Sequence, residues 1–274
     1  MEVGYTVTQI QRLRELGLPV PSERFASVDA RDLVFENAVQ TAVRKQRQQL
    51  MNKCVARRRH SVKEIEEWIV TKLIDEGFIE CYTPMIIGRD SLAKMGLDES
   101  HPLWKQVFWL NEKECLRPML APNLYSMMRR LIKCLRTPIR IFEIGPCFRN
   151  ESKGNRHLEE FTMLNLVEID VQGDRRDRIE DLVRMVMGSI DMDYELVKES
   201  SEVYGDTIDV MVHGVEVASA SFGPHKLDAM NDIDVPWTGV GFGIERLAQM
   251  KNGEANIKRV GRSLIYLDGV RLDI

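Results

Sequence analysis

Apolar residues recur along this chain with two different periods, and the two periods divide it into helices and strands. After Ser61, the residues Val62, Ile65, Ile69 and Leu73 return every three or four positions, which puts them on one face of a helix. Ser61 and Glu64 have the spacing of a capping box at its start, and Gly77 supplies a stop at its end. A second helix is expected from about Pro122, where Leu124, Met127, Met128, Leu131 and Leu135 keep helical spacing, and a third over Ile179, Leu182, Val183 and Val186. Strands are predicted over 139–145, 161–170, 206–212 and 215–222, the last two joined by a tight His213-Gly214 turn. The first sixty residues lack strand alternation: 6–16 and 37–55 read as polar helices separated by Pro19 and Pro21. Strands joined by hairpins pair antiparallel, so the pattern predicts an α+β fold, an antiparallel sheet flanked by helices, and disfavours a doubly wound parallel one. The chain divides into a helical extension over 1–60 and a main body over 61–274, with no internal repeat.

Composition narrows the class. With 274 residues, 44% hydrophobic and 29% charged, the chain can bury a substantial core and is neither a disulfide-stapled miniprotein nor a disordered or fibrous one. No apolar run approaches the ~18 residues that cross a bilayer, and the N-terminus has no signal-peptide core, so a cytoplasmic location without a membrane partner is expected. The five cysteines, Cys54, Cys81, Cys115, Cys134 and Cys147, show no C-x-x-C spacing and read as reduced, buried small hydrophobes.

Net charge is −4, yet the charge is segregated. Residues 37 to 62 carry Arg44, Lys45, Arg47, Lys53, Arg57, Arg58 and Arg59 with no acid, and residues 115 to 142 carry Arg117, Arg129, Arg130, Lys133, Arg136 and Arg140, again with none. Such segregation suits a protein that meets a polyanion on one side, and equally a solvated helix face.

Three separated elements bear on chemistry. The chain has no phosphate-binding P-loop, no H-E-x-x-H and no G-x-S-x-G. It does have a long helix followed by Glu76-Gly77-Phe78-Ile79-Glu80-Cys81-Tyr82-Thr83-Pro84; then Phe148-Arg149-Asn150-Glu151, a polar stretch Ser152 to Arg156, and His157-Leu158-Glu159-Glu160-Phe161; and finally Gly241-Phe242-Gly243-Ile244-Glu245-Arg246 opening a helix. In this order they resemble motifs 1, 2 and 3 of the class II aminoacyl-tRNA synthetases. The resemblance implies ATP-dependent activation of an amino acid as an adenylate and its transfer to the 3′ end of a cognate tRNA. Attack of a carboxylate on the α-phosphorus of ATP brings anions together, so fixed cations must neutralise them. By resemblance Arg149 and Arg246 are the catalytic pair, Arg149 at the α-phosphate and Arg246 at the γ-phosphate of a bent ATP. His157, Leu158 and Gly243 complete that ATP site, Phe161 stacks on adenine and Glu151 reads its amino group. Strand parity puts Phe161, Met163, Asn165 and Val167 on one face. The resemblance also gives Mg²⁺ to Glu216 and Ser219, although residues three apart in a regular strand face opposite ways and need a bulge to meet one ion.

From about Ile65 onward the resemblance is closest to the pyrrolysyl-tRNA synthetase family. It rests on Arg117 to Tyr125, Ile141 to Arg149, His157 to Asn165, and Val203-Tyr204-Gly205-Asp206-Thr207. It implies the short form without a separate N-terminal RNA-binding domain, so that tRNA contacts fall to the basic segments. It also implies a side-chain pocket of Leu120, Ala121, Leu124, Tyr125, Met128, Val167, Ser219, Trp237 and Gly239. Asn165 would bond the substrate's side-chain amide carbonyl, and Tyr204 would sit on a lid. The implied substrate is pyrrolysine or a related Nε-acylated lysine. A phosphoseryl substrate would need buried cations that this lining lacks, and phenylalanine would leave Asn165 unbonded at about 1 to 3 kcal/mol. Val167 and Asn150 depart from the family's usual Cys and Lys, and Ser221, Phe222 and Lys226 fall in a variable stretch. Another class II amino acid, or a non-catalytic RNA-binding paralogue, remains the competing reading. Motif 1 implies a homodimer packed through the Ser61 helix and the strand ending at Pro84, the helix burying its apolar stripe against a partner.

Overall fold

A computed structural model describes residues 2–273 apart from 21, 57, 58, 137, 152, 153, 155, 156 and 202. Its helices and strands run α1 (Val7–Glu15), α2 (Val28–Ala56), α3 (Ser61–Asp75), β1 (Ile79–Glu80), β2 (Ile86–Gly88), α4 (Arg89–Ala93), β3 (Glu114–Leu116), α5 (Ala121–Cys134), β4 (Ile139–Phe148), β5 (Glu160–Ile169), α6 (Arg175–Ser189), β6 (Glu195–Ser201), β7 (Gly205–Val212), β8 (Val215–Gly223), β9 (Trp237–Gly243), α7 (Ile244–Lys251), β10 (Tyr266–Leu267) and β11 (Val270–Arg271). Seven strands form one sheet in the order β1-β4-β5-β9-β8-β7-β6, antiparallel throughout except where β1 lies parallel to β4. The α+β expectation holds. His213 and Gly214 both take positive φ, as the predicted two-residue hairpin between β7 and β8 requires.

The sheet has two covered faces, and the difference between them positions the site. On one face α3, α6 and α7 pack Ile69, Leu73, Leu182, Val183 and Leu247 against Phe142, Leu164, Leu166, Val210 and Phe242. These side chains are fully buried, each contributing about 1.5 to 3 kcal/mol relative to exposure. On the other face α5 and the small β2–β3 sheet form a second cluster around Met95, Leu97, Leu124, Met128 and Trp237. Alternation along β5 sends Leu164 and Leu166 into the first core, while Phe161, Met163, Asn165 and Val167 line a cavity on the second face.

Several expectations need correcting. The stripe Val62, Ile65, Ile69 and Leu73 is buried inside the chain against α6 and α7, so it is not available to a partner. The cap of α3 is His60, whose Nδ1 accepts from the Val62 N–H at 3.3 Å. Ser61 instead donates to Asp268 at the C-terminal β10–β11 turn, a tertiary acceptor that the local Ser-x-x-Glu spacing does not reveal. Leu135 lies beyond α5 and is exposed. Strands β6 and β9 were not predicted, and α2 begins nine residues before the polar segment that signalled it.

The extension is tied to the end of the chain. Gln46 donates to the Leu16 carbonyl at 2.8 Å and accepts from the Arg271 N–H at 3.1 Å, while Lys53 pairs with Asp268 at 2.6 Å. Arg271 pairs with Glu15 at 2.5 Å. Among the described residues no helix is long and apolar enough to cross a membrane.

Candidate active site

A cavity of about 360 Å³ opens between β5, β8, β9 and α5. One end is cationic. β4 stops at Phe148, and Arg149 follows with its Nε–H donating to the Pro118 carbonyl at 2.9 Å and its guanidinium 5.2 Å from the Phe161 ring centre. Among the described residues it makes no ion pair, and burial pushes its pKa down from the usual value. Glu151 lies 3.4 Å from His157.

The backbone that aims Arg149 is itself anchored. Arg117 accepts from the Phe148 N–H at 3.0 Å and donates its own N–H to the Met85 carbonyl at 2.9 Å. Its side chain, 1% exposed, pairs with the buried Glu143 at 2.7 Å and donates to the Pro146 carbonyl at 2.8 Å. Gly145 is glycine for a steric reason: an added Cβ would lie 2.2 Å from the Arg117 Nη2. Thr83 donates its hydroxyl to Glu143 at 2.7 Å, and Asn123 donates to Thr83 Oγ1 at 2.7 Å. Motif 1, motif 2 and the start of α5 thus share one buried polar cluster.

Arg246 stands in the first turn of α7. It donates to the Glu216 carbonyl at 2.9 Å and lies 3.3 Å from its carboxylate. Next to it the buried Glu245 accepts from the Thr162 N–H at 2.7 Å and hydroxyl at 3.0 Å; burial raises its carboxyl pKa. Glu216 and Ser219 both line the cavity, and the β7–β8 register shifts between them, so the required bulge exists. Ser219 donates to Asp209 at 2.7 Å.

The other end is apolar and aromatic. Tyr125 and Trp237 meet edge-on with ring centres 5.8 Å apart, and Tyr204 and Trp237 at 6.5 Å. Ala121, Leu124, Met128, Val167 and Gly239 complete the wall. Asn165 lies among them with a buried Oδ1 that has no hydrogen-bond partner among the described residues. A Cβ on the facing Gly241 would come within 3.1 Å of that oxygen.

The cavity gathers every predicted site residue except one. Arg149, Glu151, His157, Leu158, Phe161, Glu216, Ser219, Gly243 and Arg246 line its cationic end, and the predicted amino-acid residues line the rest. Leu120 is the exception: it is fully buried beneath the start of α5 and does not reach the cavity. Within the variable stretch Ser221 lines the cavity, Phe222 packs toward the helical core, and Lys226 is exposed. Of the polar loop between Arg149 and His157, Ser152, Lys153, Asn155 and Arg156 lie outside the described residues. Sequence reasoning missed Asp228, His225, Glu245 and Arg262. Only Glu245 carried a signal, as the acid beside Arg246.

The charge reading divides. Arg117, Arg129 and Arg140 are spent on Glu143, Asp232 and Glu168, leaving Arg130, Lys133 and Arg136 exposed on and after α5. On α2, Arg44 and Lys45 are exposed and Lys53 pairs with Asp268, while Arg59, just beyond it, pairs with Glu67. Arg57 and Arg58 lie outside the described residues. Cys81, Cys115 and Cys147 are buried, and desolvation lifts their thiols to about 11, 11 and 12; Cys54 and Cys134 are exposed, against expectation.

The model of the family described as tRNA synthetases class II core domain (F) matches residues 47–267, and the chain belongs to this class of aminoacyl-tRNA ligases. Within the class it falls in the pyrrolysyl-tRNA synthetase family. A crystal structure of pyrrolysyl-tRNA synthetase from Desulfitobacterium hafniense is 44% identical over 100% of both chains, with a TM-score of 0.93. A second structure of a pyrrolysyl-tRNA synthetase from the same organism is 44% identical over 99% of this chain and 96% of the other, with a TM-score of 0.91. Similarity to threonine--tRNA ligase of Wolbachia pipientis subsp. Culex pipiens is partial, 31% over 98 residues that make up 34% of this chain and 15% of that protein.

Proposed function

We propose that the chain activates pyrrolysine, or a related Nε-acylated lysine, with ATP and transfers it to the 3′ end of its cognate tRNA. The observation that carries this reading is the composition of the cavity. A cationic fork stacked on a phenyl ring opens directly into an aromatic chamber containing a buried carboxamide oxygen without a partner. An unpartnered buried acceptor costs about 1 to 3 kcal/mol, which a ligand donor would recover. A long side chain carrying an amide fits this wall, and a plain aromatic one leaves the carboxamide unbonded.

In this reading Phe161 stacks on the adenine, Arg149 takes the α-phosphate, and Arg246 holds the far phosphate of a folded triphosphate. Arg149 then acts where negative charge develops as the amino-acid carboxylate attacks the α-phosphorus. Glu216 and Ser219 would hold Mg²⁺; one carboxylate and one hydroxyl beside phosphate oxygens is a donor set this ion favours. Bound there, the ion would neutralise phosphate charge. In the same reading the exposed Arg44 and Lys45 on α2, and Arg130, Lys133 and Arg136 on and after α5, would supply cations for tRNA, with residues 1–60 a tRNA-facing extension and 61–274 the catalytic domain.

The homodimer reading rests on the other part of motif 1, the segment that ends at Pro84. Ile74, Ile79, Tyr82, Met85 and Ile86 are exposed around the end of motif 1, Tyr82 at 98%. Their burial would suit a two-fold interface. Sedimentation of a monomer at micromolar concentration would refute it. ATP–pyrophosphate exchange across a panel of amino acids tests the main reading. Stimulation by pyrrolysine and bulky Nε-acylated lysines supports it; stimulation by phenylalanine alone overturns it.

A further inference from the structure

The chamber is held together by a carboxylate outside its lining. Asp228 follows β8 in a short turn and is 5% exposed. Its Oδ1 accepts from the Tyr125 hydroxyl at 3.1 Å and from the Trp237 Nε1–H at 3.0 Å. Its Oδ2 accepts from the His225 N–H at 2.6 Å. His225 extends the chain of contacts: its Nδ1 accepts from the Leu227 N–H at 3.2 Å, so the ring proton sits on Nε2, which donates to the Tyr204 carbonyl at 2.7 Å. The three rings that face one another across the chamber therefore hang on one buried anion, two directly and Tyr204 through His225. The backbone makes room for it. An added Cβ on Gly223 would lie 2.2 Å from Trp237 Nε1 and 2.7 Å from Asp228 Oδ2.

We infer that Asp228 is a positioning residue that sets the shape of the amino-acid chamber, and so the enzyme's discrimination among long side chains, by fixing Tyr125, Trp237 and the Tyr204 turn at once. The inference rests on the functional reading above for the identity of the substrate, but the packing it describes does not. Its logic is that only a carboxylate fits. All the surrounding groups are donors, and a carboxylate offers acceptors on both oxygens. An amide of the same size has one oxygen and one NH₂. Whichever way it turns, a donor meets a donor, either at His225 or at the Tyr125–Trp237 pair.

Asp228→Asn tests this without changing side-chain volume. Loss of one side of the clamp is expected to raise KM for pyrrolysine in ATP–pyrophosphate exchange about tenfold, the equivalent of one buried hydrogen bond. KM for ATP should stay within about twofold, because Phe161, Arg149 and Arg246 make no contact with Asp228. The Trp237 indole N–H resonance, assigned by its absence in Trp237→Phe, should move on the same substitution. Tyr125→Phe removes one donor while keeping the carboxylate, and should give a smaller rise. The double variant should be no worse than Asp228→Asn alone, since the two act through one contact.

An unmoved indole resonance in folded Asp228→Asn overturns the clamp itself, whatever the enzyme's substrate. An unchanged KM for pyrrolysine, or an equal rise in KM for ATP, overturns its role in the chamber. Should Asp228→Asn not fold, Tyr125→Phe decides: a selective rise in amino-acid KM supports the clamp, and no change overturns it. A wild-type enzyme inert toward pyrrolysine removes the functional reading and leaves the resonance to judge the clamp.

Discussion

Arg149 is the residue whose replacement separates catalysis from folding most cleanly. Its side chain makes three kinds of contact: Nε–H to the Pro118 carbonyl at 2.9 Å, a cation face on Phe161 at 5.2 Å, and an approach to the cavity. Replacement by Lys keeps the charge but cannot satisfy Pro118, stack on the ring and reach a phosphate together, because an ammonium is a single compact point of charge. The lost contact at the developing charge is of the kind whose removal costs about 2.7 to 4 kcal/mol, or 10² to 10³ in kcat. Stability should move the other way or hardly at all. Burial already disfavours the charged guanidinium, so Arg149→Ala relieves desolvation while it forfeits one neutral hydrogen bond worth about 1 kcal/mol.

The assay is ATP–pyrophosphate exchange with pyrrolysine, run beside thermal melts of the same preparations. Exchange should fall at least a hundredfold in both Arg149→Lys and Arg149→Ala, with melting temperatures within about 4 °C of the parent. Exchange by Arg149→Lys within threefold of wild type would show that charge alone suffices and would refute the argument from the planar fork. A loss of activity that tracks a loss of folded protein would refute the separation of the two roles.

Other substitutions test the scaffold around it. Glu143→Ala strands the buried Arg117 without its counter-ion and should cost about 3 to 5 kcal/mol in urea unfolding; a cost below about 1 kcal/mol would mean that the pair contributes nothing where it stands. Glu245 is raised by burial above its ordinary 4.5, so the native state holds a proton that the unfolded chain has already released. Its contribution is therefore present at low pH and declines as pH rises from that ordinary value through the raised one, and Glu245→Gln should flatten the melting temperature against pH over that window; parallel profiles for the two proteins count against it. Gly241→Ala brings a Cβ within 3.1 Å of Asn165 Oδ1 and should raise amino-acid KM with little effect on ATP KM, as measured by exchange. Raising salt should weaken tRNA binding in the parent protein, and neutralising Arg130, Lys133 and Arg136 together should reduce the slope of log affinity against log salt; an unchanged slope removes that surface from the tRNA site.

What could be read from the chain was whatever its short-range order controls. The helix stripe at Val62, Ile65, Ile69 and Leu73, the β7–β8 hairpin through His213-Gly214, and the one-sided face of β5 all follow from periods of 3.6 and 2, and all are present. The direction in which a correctly found face points is a different matter. The α3 stripe reads identically whether it packs on α6 and α7 or on a second molecule, because periodicity reports burial and not the identity of the neighbour. Likewise Ser61 has the right spacing for a local cap, but Asp268, more than two hundred residues away, offers a stronger acceptor. Arg117 counted among the basic residues of its segment for the same reason, since its partner Glu143 lies on β4, 26 residues further along the chain.

The site was legible where its chemistry is carried by unusual residues in a fixed order, and illegible where it is carried by ordinary residues brought together by the sheet. β9 shows why. Its Trp237-Thr238-Gly239-Val240-Gly241-Phe242-Gly243 looks too glycine-rich for a strand, since glycine weakens isolated strands. Yet a Cβ on Gly239 would already touch Val167, Leu166 and Trp237 at 3.4 Å, and one on Gly241 would crowd Asn165 at 3.1 Å, so larger side chains there would fill the chamber. The glycines thus open the cavity that α5, β5 and β8 enclose, and the same closeness of backbone at Gly223 admits Asp228 to Trp237. Asp228, one of three aspartates between Pro224 and Trp237, has no periodicity and no motif. Its role exists only once α5, β9 and the turn after β6 have converged on it, which is why a substitution there should disturb three walls of the chamber while leaving every helix and strand intact.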